Sequence, residues 1–196
     1  YTICNIYYDT DNWQLIRTSL EKPVYKEKLR VRSYGVPNDD GRVFVELKKK
    51  YEGVVYKRRI TTKAREAAPF LSEAGPNAHG QIGREITWFQ QLHHAKPRVF
   101  IAYDRLAFAG IDDPQLRITF DTNLRWRGTD LDLRLGDHGA PIADPDMILM
   151  EIKLPGVCPL WLSQLLARAR AYPTSFSTYG YCYQHHLLPK EGCHCA

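Results

Sequence analysis

Basic side chains recur at every second residue in several short segments of this 196-residue chain. That spacing sends them to one face of a β-strand. Arg30 and Arg32 share a face, with Leu29 and Val31 opposite. Glu46, Lys48 and Lys50 share a face, with Val45 and Leu47 opposite. Arg105 stands two residues from Tyr103, and Arg117, Thr119 and Asp121 alternate with Ile118 and Phe120. Glu151 and Lys153 alternate with Met150, Ile152 and Leu154. Arg and Lys gathered this way can hold an anion with many acceptor oxygens, and Arg does so bidentately. A phosphate chain fits such a surface.

An open antiparallel sheet also has one wet, charged face, so alternation alone does not prove a site. Here, however, the charged faces are mostly cationic, and unrelieved like charges on neighbouring strands cost stability. For Glu46 the favoured reading is a salt bridge to a neighbouring arginine, with metal ligation as the alternative. For Glu151 it is ligation of a hard divalent cation, which takes oxygen ligands.

The charge distribution supports an anionic partner. Net charge is +5, yet residues 26–65 alone carry 13 Lys and Arg against 5 Asp and Glu. Such concentration favours binding of a polyanion. No run of 18 apolar residues is present, so no membrane span is expected. Five cysteines at uneven spacing argue against a disulfide framework and for a reducing, cytoplasmic setting. Cys193, His194 and Cys195, with His185 and His186, form a weak candidate metal tract against a plain frayed tail.

These side chains need strands to position them. Thr2–Asp9, Val24–Tyr34, Val99–Phe108, Gln115–Thr122 and Met147–Leu154 read as strands, and Leu131–Leu135 as a weak one. Arg42–Tyr51 and Val54–Thr61 read as a hairpin turning at Glu52-Gly53. Lys63–Glu73 is helical but broken by Pro69, Gln81–His94 is helical, and a helix follows Pro159 with Leu162, Leu165 and Leu166 as its packing side. The tail from Tyr172 has strand-like aromatics. Many strands in succession argue for an α+β domain with a curved or closed antiparallel sheet and helices packed outside.

The ordered segments Ile6–Thr10 (IYYDT), Leu29–Gly35 (LRVRSYG), Val45–Lys50 (VELKKK), Tyr56–Arg59 (YKRR), Tyr103–Ala107 (YDRLA), Arg117–Asp121 (RITFD), Met150–Lys153 (MEIK) and Phe176–Gly180 (FSTYG) span nearly the whole sequence. Together they resemble the VTC domain. This is the polyphosphate-polymerase domain of the vacuolar transporter chaperone complex and its bacterial-type relatives, in the triphosphate tunnel metalloenzyme superfamily. The resemblance implies an antiparallel, CYTH-like β-tunnel over residues 1–196 as a single domain. It implies binding of ATP with Mn²⁺ or Mg²⁺, transfer of the terminal phosphoryl group to a polyphosphate chain, and release of ADP. By the same resemblance, Arg30, Arg32, Lys48, Arg105 and Arg117 hold the reacting phosphates. Lys50, Lys57, Arg59, Tyr103, Lys153, Ser177 and Tyr179 assist in binding, and Glu151, with Glu46 as a second candidate, meets the metal.

Two departures stand out. The family's opening strand, with a basic-acidic-lysine pattern, has no counterpart ahead of Thr2. The late family segment K-F-S-K-Y reads Ser175-Phe176-Ser177-Thr178-Tyr179, with both lysines replaced. Three readings therefore remain: a metal-dependent polyphosphate polymerase, a tunnel-fold triphosphatase, and a non-catalytic sensor of polyphosphate or inositol phosphate. Nucleic-acid binding is set aside, since no zinc-finger or helix-turn-helix spacing is present. Membrane partners and oligomeric state are not fixed by these residues.

Overall fold

Alternating segments rich in Val, Ile and Tyr form the strands, as their residue types favour. The computed structural model describes residues 1–73 and 80–188. Strands β1 (Thr2–Asp9), β2 (Tyr25–Tyr34), β3 (Arg42–Tyr51), β4 (Val54–Lys63), β5 (Lys96–Ala109), β6 (Arg117–Arg127), β7 (Ala140–Pro141) and β8 (Leu149–Lys153) pair antiparallel in the order β4-β3-β2-β1-β5-β6-β7, and β8 also pairs β6. The β3–β4 hairpin turns at Glu52 and Gly53, both with positive φ (46° and 84°). That is the primed turn whose twist suits a two-residue hairpin.

The sheet is not a closed barrel. Among the described residues, β4 and β8 have no partner on their outer sides. It nevertheless curls. Lys48 on β3 lies within electrostatic reach of Glu151 and Lys153 on β8, although β2, β1, β5 and β6 stand between them in the sheet order. Bulges help it bend. One falls between Tyr7 and Tyr8, and another falls where β5 and β6 slip register between Ala102 and Asp104, with Asn123 at φ 50°.

One face of the sheet, carrying Leu29, Val31, Val45, Leu47 and Phe100, is covered by α2 (Ala64–Glu73) and α3 (Gly80–His93) through Leu71, Ile86 and Phe89. On the opposite, concave face, Ile3, Val99 and Ile101 pack with Ile16 of α1 (Gln14–Leu20) and with Tyr179 and Cys182 of α5 (Thr178–Cys182). Asp9 anchors this end. Its buried carboxylate accepts from the backbone N–H groups of Thr10, Leu15 and Ile16 and from the Tyr179 hydroxyl. The rest of the concave face stays open for the charged side chains.

Several local expectations change. α2 runs unbroken through Pro69. A single proline removes one backbone bond, and Ala67 and Leu71, both buried, hold the helix to the sheet. Residues Leu133–Leu135 form a 3₁₀ turn rather than a strand, because the Asp132 carboxylate accepts from Arg134 N–H and starts a turn. The tail is helical, not extended. Ser177 caps α5, and Tyr179, Cys182 and Tyr183 fall on one buried side at helical spacing, leading into a π-turn over Tyr183–Leu187. In α4 (Leu160–Arg168) Leu162 is buried, while Leu165 is exposed and Leu166 half-buried. The Cys193–Cys195 tract lies outside the described residues. No described helix is long and apolar enough to cross a membrane.

Candidate functional site

The register aligns the concave-face side chains into rows across strands. Arg59, Glu46, Arg30 and Tyr7 form one row on β4, β3, β2 and β1. Glu46 is 1% exposed and meets three cations. Arg30 Nη2 lies 2.7 Å from Oε2, Lys57 Nζ 2.9 Å from Oε1, and Arg59 Nε donates to Oε1 at 2.7 Å. Burial pushes the Glu46 carboxyl up, but Arg30, Lys57 and Arg32 outweigh it and hold its pKa down to about 2. Glu46 is therefore the centre of an ion-pair cluster, and the metal-ligand alternative for it is dropped. Three cations on one carboxylate still leave a surplus of positive charge facing the concavity.

Arg32 lies in the next row toward the Tyr34 end of β2. It is 7% exposed and donates to Asn5 Oδ1 (2.9 Å) and the Tyr103 hydroxyl (3.1 Å), both neutral. A buried guanidinium without a carboxylate is costly unless an anion joins it. On β5, Arg105 holds Asp121 of β6 through two bonds of 2.6 and 2.7 Å, with Glu151 of β8 3.8 Å away. The fork on Asp121 fixes the guanidinium plane and aims its remaining donor edge. Asp121 is thus an orienting residue rather than the local turn residue its type suggests.

Beyond it, Arg117 is exposed opposite Lys153, and Thr119 stands opposite Glu151 with its hydroxyl buried and unpartnered. Glu151 is half exposed and pairs with Lys153 at 3.4 Å. Among the described residues no cluster of three or more His, Cys, Asp or Glu exists. A divalent cation held by one carboxylate plus phosphate oxygens is a common arrangement for Mg²⁺, and Glu151 fits that role.

A cavity of about 570 Å³ opens between the β2–β3 face and the α1 and α5 end. Of the expected residues, Arg30, Lys48, Lys50 and Ser177 line it, with Ser175 and Thr178 also at its wall. Arg32, Lys57, Arg59, Tyr103, Arg105, Arg117, Glu151 and Lys153 share the concave face but extend beyond this cavity. Tyr179 does not reach it. Its ring stacks on Tyr7 at 4.5 Å and its hydroxyl serves Asp9 at 2.7 Å, so its role is to hold α5 to the sheet.

The structure adds Lys26 and Lys28, which line the cavity beside Arg30. Lys28 Nζ donates to Ser177 Oγ at 3.0 Å and Lys26 Nζ to the Ser19 carbonyl at 2.9 Å. The sequence carried the signal. Lys26, Lys28, Arg30 and Arg32 have one parity, and the alternation simply begins two pairs earlier than Leu29.

A model of the VTC domain family matches residues 1–186. The chain belongs to the VTC domain family. Vacuolar transporter chaperone complex subunit 4 of Schizosaccharomyces pombe is 28% identical over 161 residues, which is 69% of this chain and 22% of that protein. This VTC domain thus spans about a fifth of the length of that relative. Among solved structures, a "putative adenylate cyclase" from Bacillus halodurans superposes with a TM-score of 0.51 at 15% identity, covering 90% of this chain and 78% of that one. At that identity the likeness speaks to the fold, and the fold is a tunnel-type antiparallel sheet.

Proposed function

We propose that this VTC domain is a metal-dependent polyphosphate polymerase that uses ATP. The supporting observation is convergence: cations from β2, β3, β4, β5, β6 and β8 face one concavity, and they outnumber the carboxylates set among them. Arg30, Lys48, Arg105 and Arg117 bind and orient the phosphates, Arg32 supplies buried charge, and Arg59, Lys57, Lys50 and Lys153 extend the wall. The γ-phosphorus forms a bond to a terminal oxygen of the chain as its bond to the β-phosphate oxygen breaks. ADP carries off the electron pair. Positioning and charge neutralisation supply most of such a transfer, and no protein nucleophile is needed. Mn²⁺ or Mg²⁺, held at Glu151, supplies charge neutralisation on the transferred group when bound. The described cysteines Cys4, Cys158 and Cys182 are free thiols, in keeping with a reducing, cytoplasmic setting.

A hydrolytic reading draws on Ser175 and Thr178, which line the cavity where the family resemblance leads one to expect lysines. Water would then replace the chain end as acceptor. Purified protein with ATP and Mn²⁺, assayed for both products, separates the readings. Polyphosphate growth with equimolar ADP is expected. Free phosphate as the product overturns the polymerase reading in favour of hydrolysis, and no turnover with any divalent cation overturns both.

A further inference from the structure

The convex side of β5 is covered at one end and bare at the other. Phe100 and Ala102 are fully buried in the core that α2 and α3 close. Further along the same face, Leu106 is 63% exposed and Phe108 57%. β6 and β8 continue the bare surface. Their register sets Leu106, Phe120 and Met150 side by side in one row, and Phe108, Ile118 and Ile152 in the next. Phe108 and Phe120 meet edge to face, with ring centroids 6.0 Å apart. Met150 is 39% exposed. Ile148, 59% exposed, extends the face, since its neighbours Met147 and Leu149 both pack on the concave side. Among the described residues, neither apolar core cluster takes in any of these side chains. A sheet with one wet face places polar residues on it. Here the cations already occupy the concave face, and the side left to water is apolar.

We propose that this convex β5–β6–β8 face is a homodimer interface, in which two copies of the chain pack sheet on sheet about a two-fold axis. The area suits that occupant. At about 200 Å² for a large side chain in the open, the exposed fractions leave about 500 Å² of apolar surface on one face. That lies at the upper end of what a monomer carries. A standard interface takes about 800 Å² from each partner, about 60% of it apolar, so the face supplies the apolar centre that such an interface needs. The charge pattern suits a second copy as well. A surface that covers itself must bring no like charges together. Neither row carries a charged side chain, although the chain is +5 overall. Because the patch meets its own copy, assembly closes at two chains. An anionic lipid surface fits less well. In the turn joining β5 to β6, next to the Phe108–Ile118 row, Asp112 and Asp113 stand exposed beside Ile111 and repel anionic headgroups. The cationic concavity lies on the other side of the same strands, so each copy keeps it open. This pairing is independent of the reaction run there.

Sedimentation equilibrium of the wild-type chain from about 5 to about 200 μM tests this, a range that spans the weak end of interfaces of this size. A two-chain mass is expected at the upper concentrations. The double variant Leu106→Lys/Phe108→Lys, at exposed positions, is expected to stay a single chain throughout, with the circular dichroism of the wild type. Trp88→Lys, at an equally exposed aromatic on α3, is expected to dimerise as the wild type does. The two methionines give a second readout that needs no variant. Peroxide oxidation of Met150 should slow by about threefold or more between dilute and concentrated protein, while Met147, on the concave side, keeps its rate. A wild type that remains a single chain at the highest concentration overturns the interface. So does a double variant that still dimerises, association running beyond two chains, or Met150 protected no more than Met147. Single chains that float with phosphatidylcholine vesicles, and lose this in the double variant, overturn it in favour of a lipid contact.

Discussion

Arg30 and Glu46 meet at 2.7 Å across β2 and β3, and Glu46 shares its carboxylate with Lys57 and Arg59 from β4. One buried acid on β3 therefore holds three cations of its two flanking strands at a fixed spacing. It leaves them with net positive charge, which suits a frame that must stay intact while its ligand comes and goes.

Glu46→Gln should destabilise the fold, since it leaves three cations around a neutral amide. Removing one partner of a buried pair costs about 3 kcal/mol or more. Thermal melts should show a lower Tm, and added tripolyphosphate should recover more of it in the variant than in the wild type. An unchanged Tm would show that the cluster contributes little.

The same carboxylate sets an acid response. Its folded pKa of about 2 lies below the ordinary value of 4.5. The stability this shift supplies is present above pH 4.5 and is lost as pH falls toward 2. Denaturant titrations at pH 5, 4 and 3 should show falling stability in the wild type, and a shallower decline in Glu46→Gln.

Tyr179→Phe separates structure from binding. Losing the bond to Asp9 should cost about 1 kcal/mol, while tripolyphosphate affinity stays within about twofold of the wild type. A large loss of affinity with unchanged stability would return Tyr179 to the binding wall.

How far all this could be read from the sequence depends on the element. Strand alternation was legible, because apolar Val31, Val45 and Leu47 alternate cleanly with the charged positions. The hairpin was legible from Glu52-Gly53, whose backbone adopts the positive φ expected. The tail was not. Tyr179, Cys182 and Tyr183 carry strand-favouring side chains, but the Ser177 cap and the buried Asp9 acceptor select a helix, and those partners are far apart in sequence. β6 also runs past its expected end at Thr122 to Arg127. The bulge at Asn123 reverses its parity, so Arg125 and Arg127 leave the concave face and bind loop carbonyls instead.

Glu151 offers a metal-dependent test. Glu151→Gln should raise the Mn²⁺ or Mg²⁺ concentration needed for half-maximal turnover by about tenfold or more, with metal-free tripolyphosphate binding little reduced. Equal metal dependence in variant and wild type would remove Glu151 from the cation.

The whole account depends on side chains from distant strands serving one anion. Titrating tripolyphosphate into Lys48→Met and Arg105→Met, on β3 and β5, tests this directly. Each is expected to weaken binding by about tenfold, and the double variant further, with a flatter dependence on salt. Wild-type affinity in either variant would contradict a shared site.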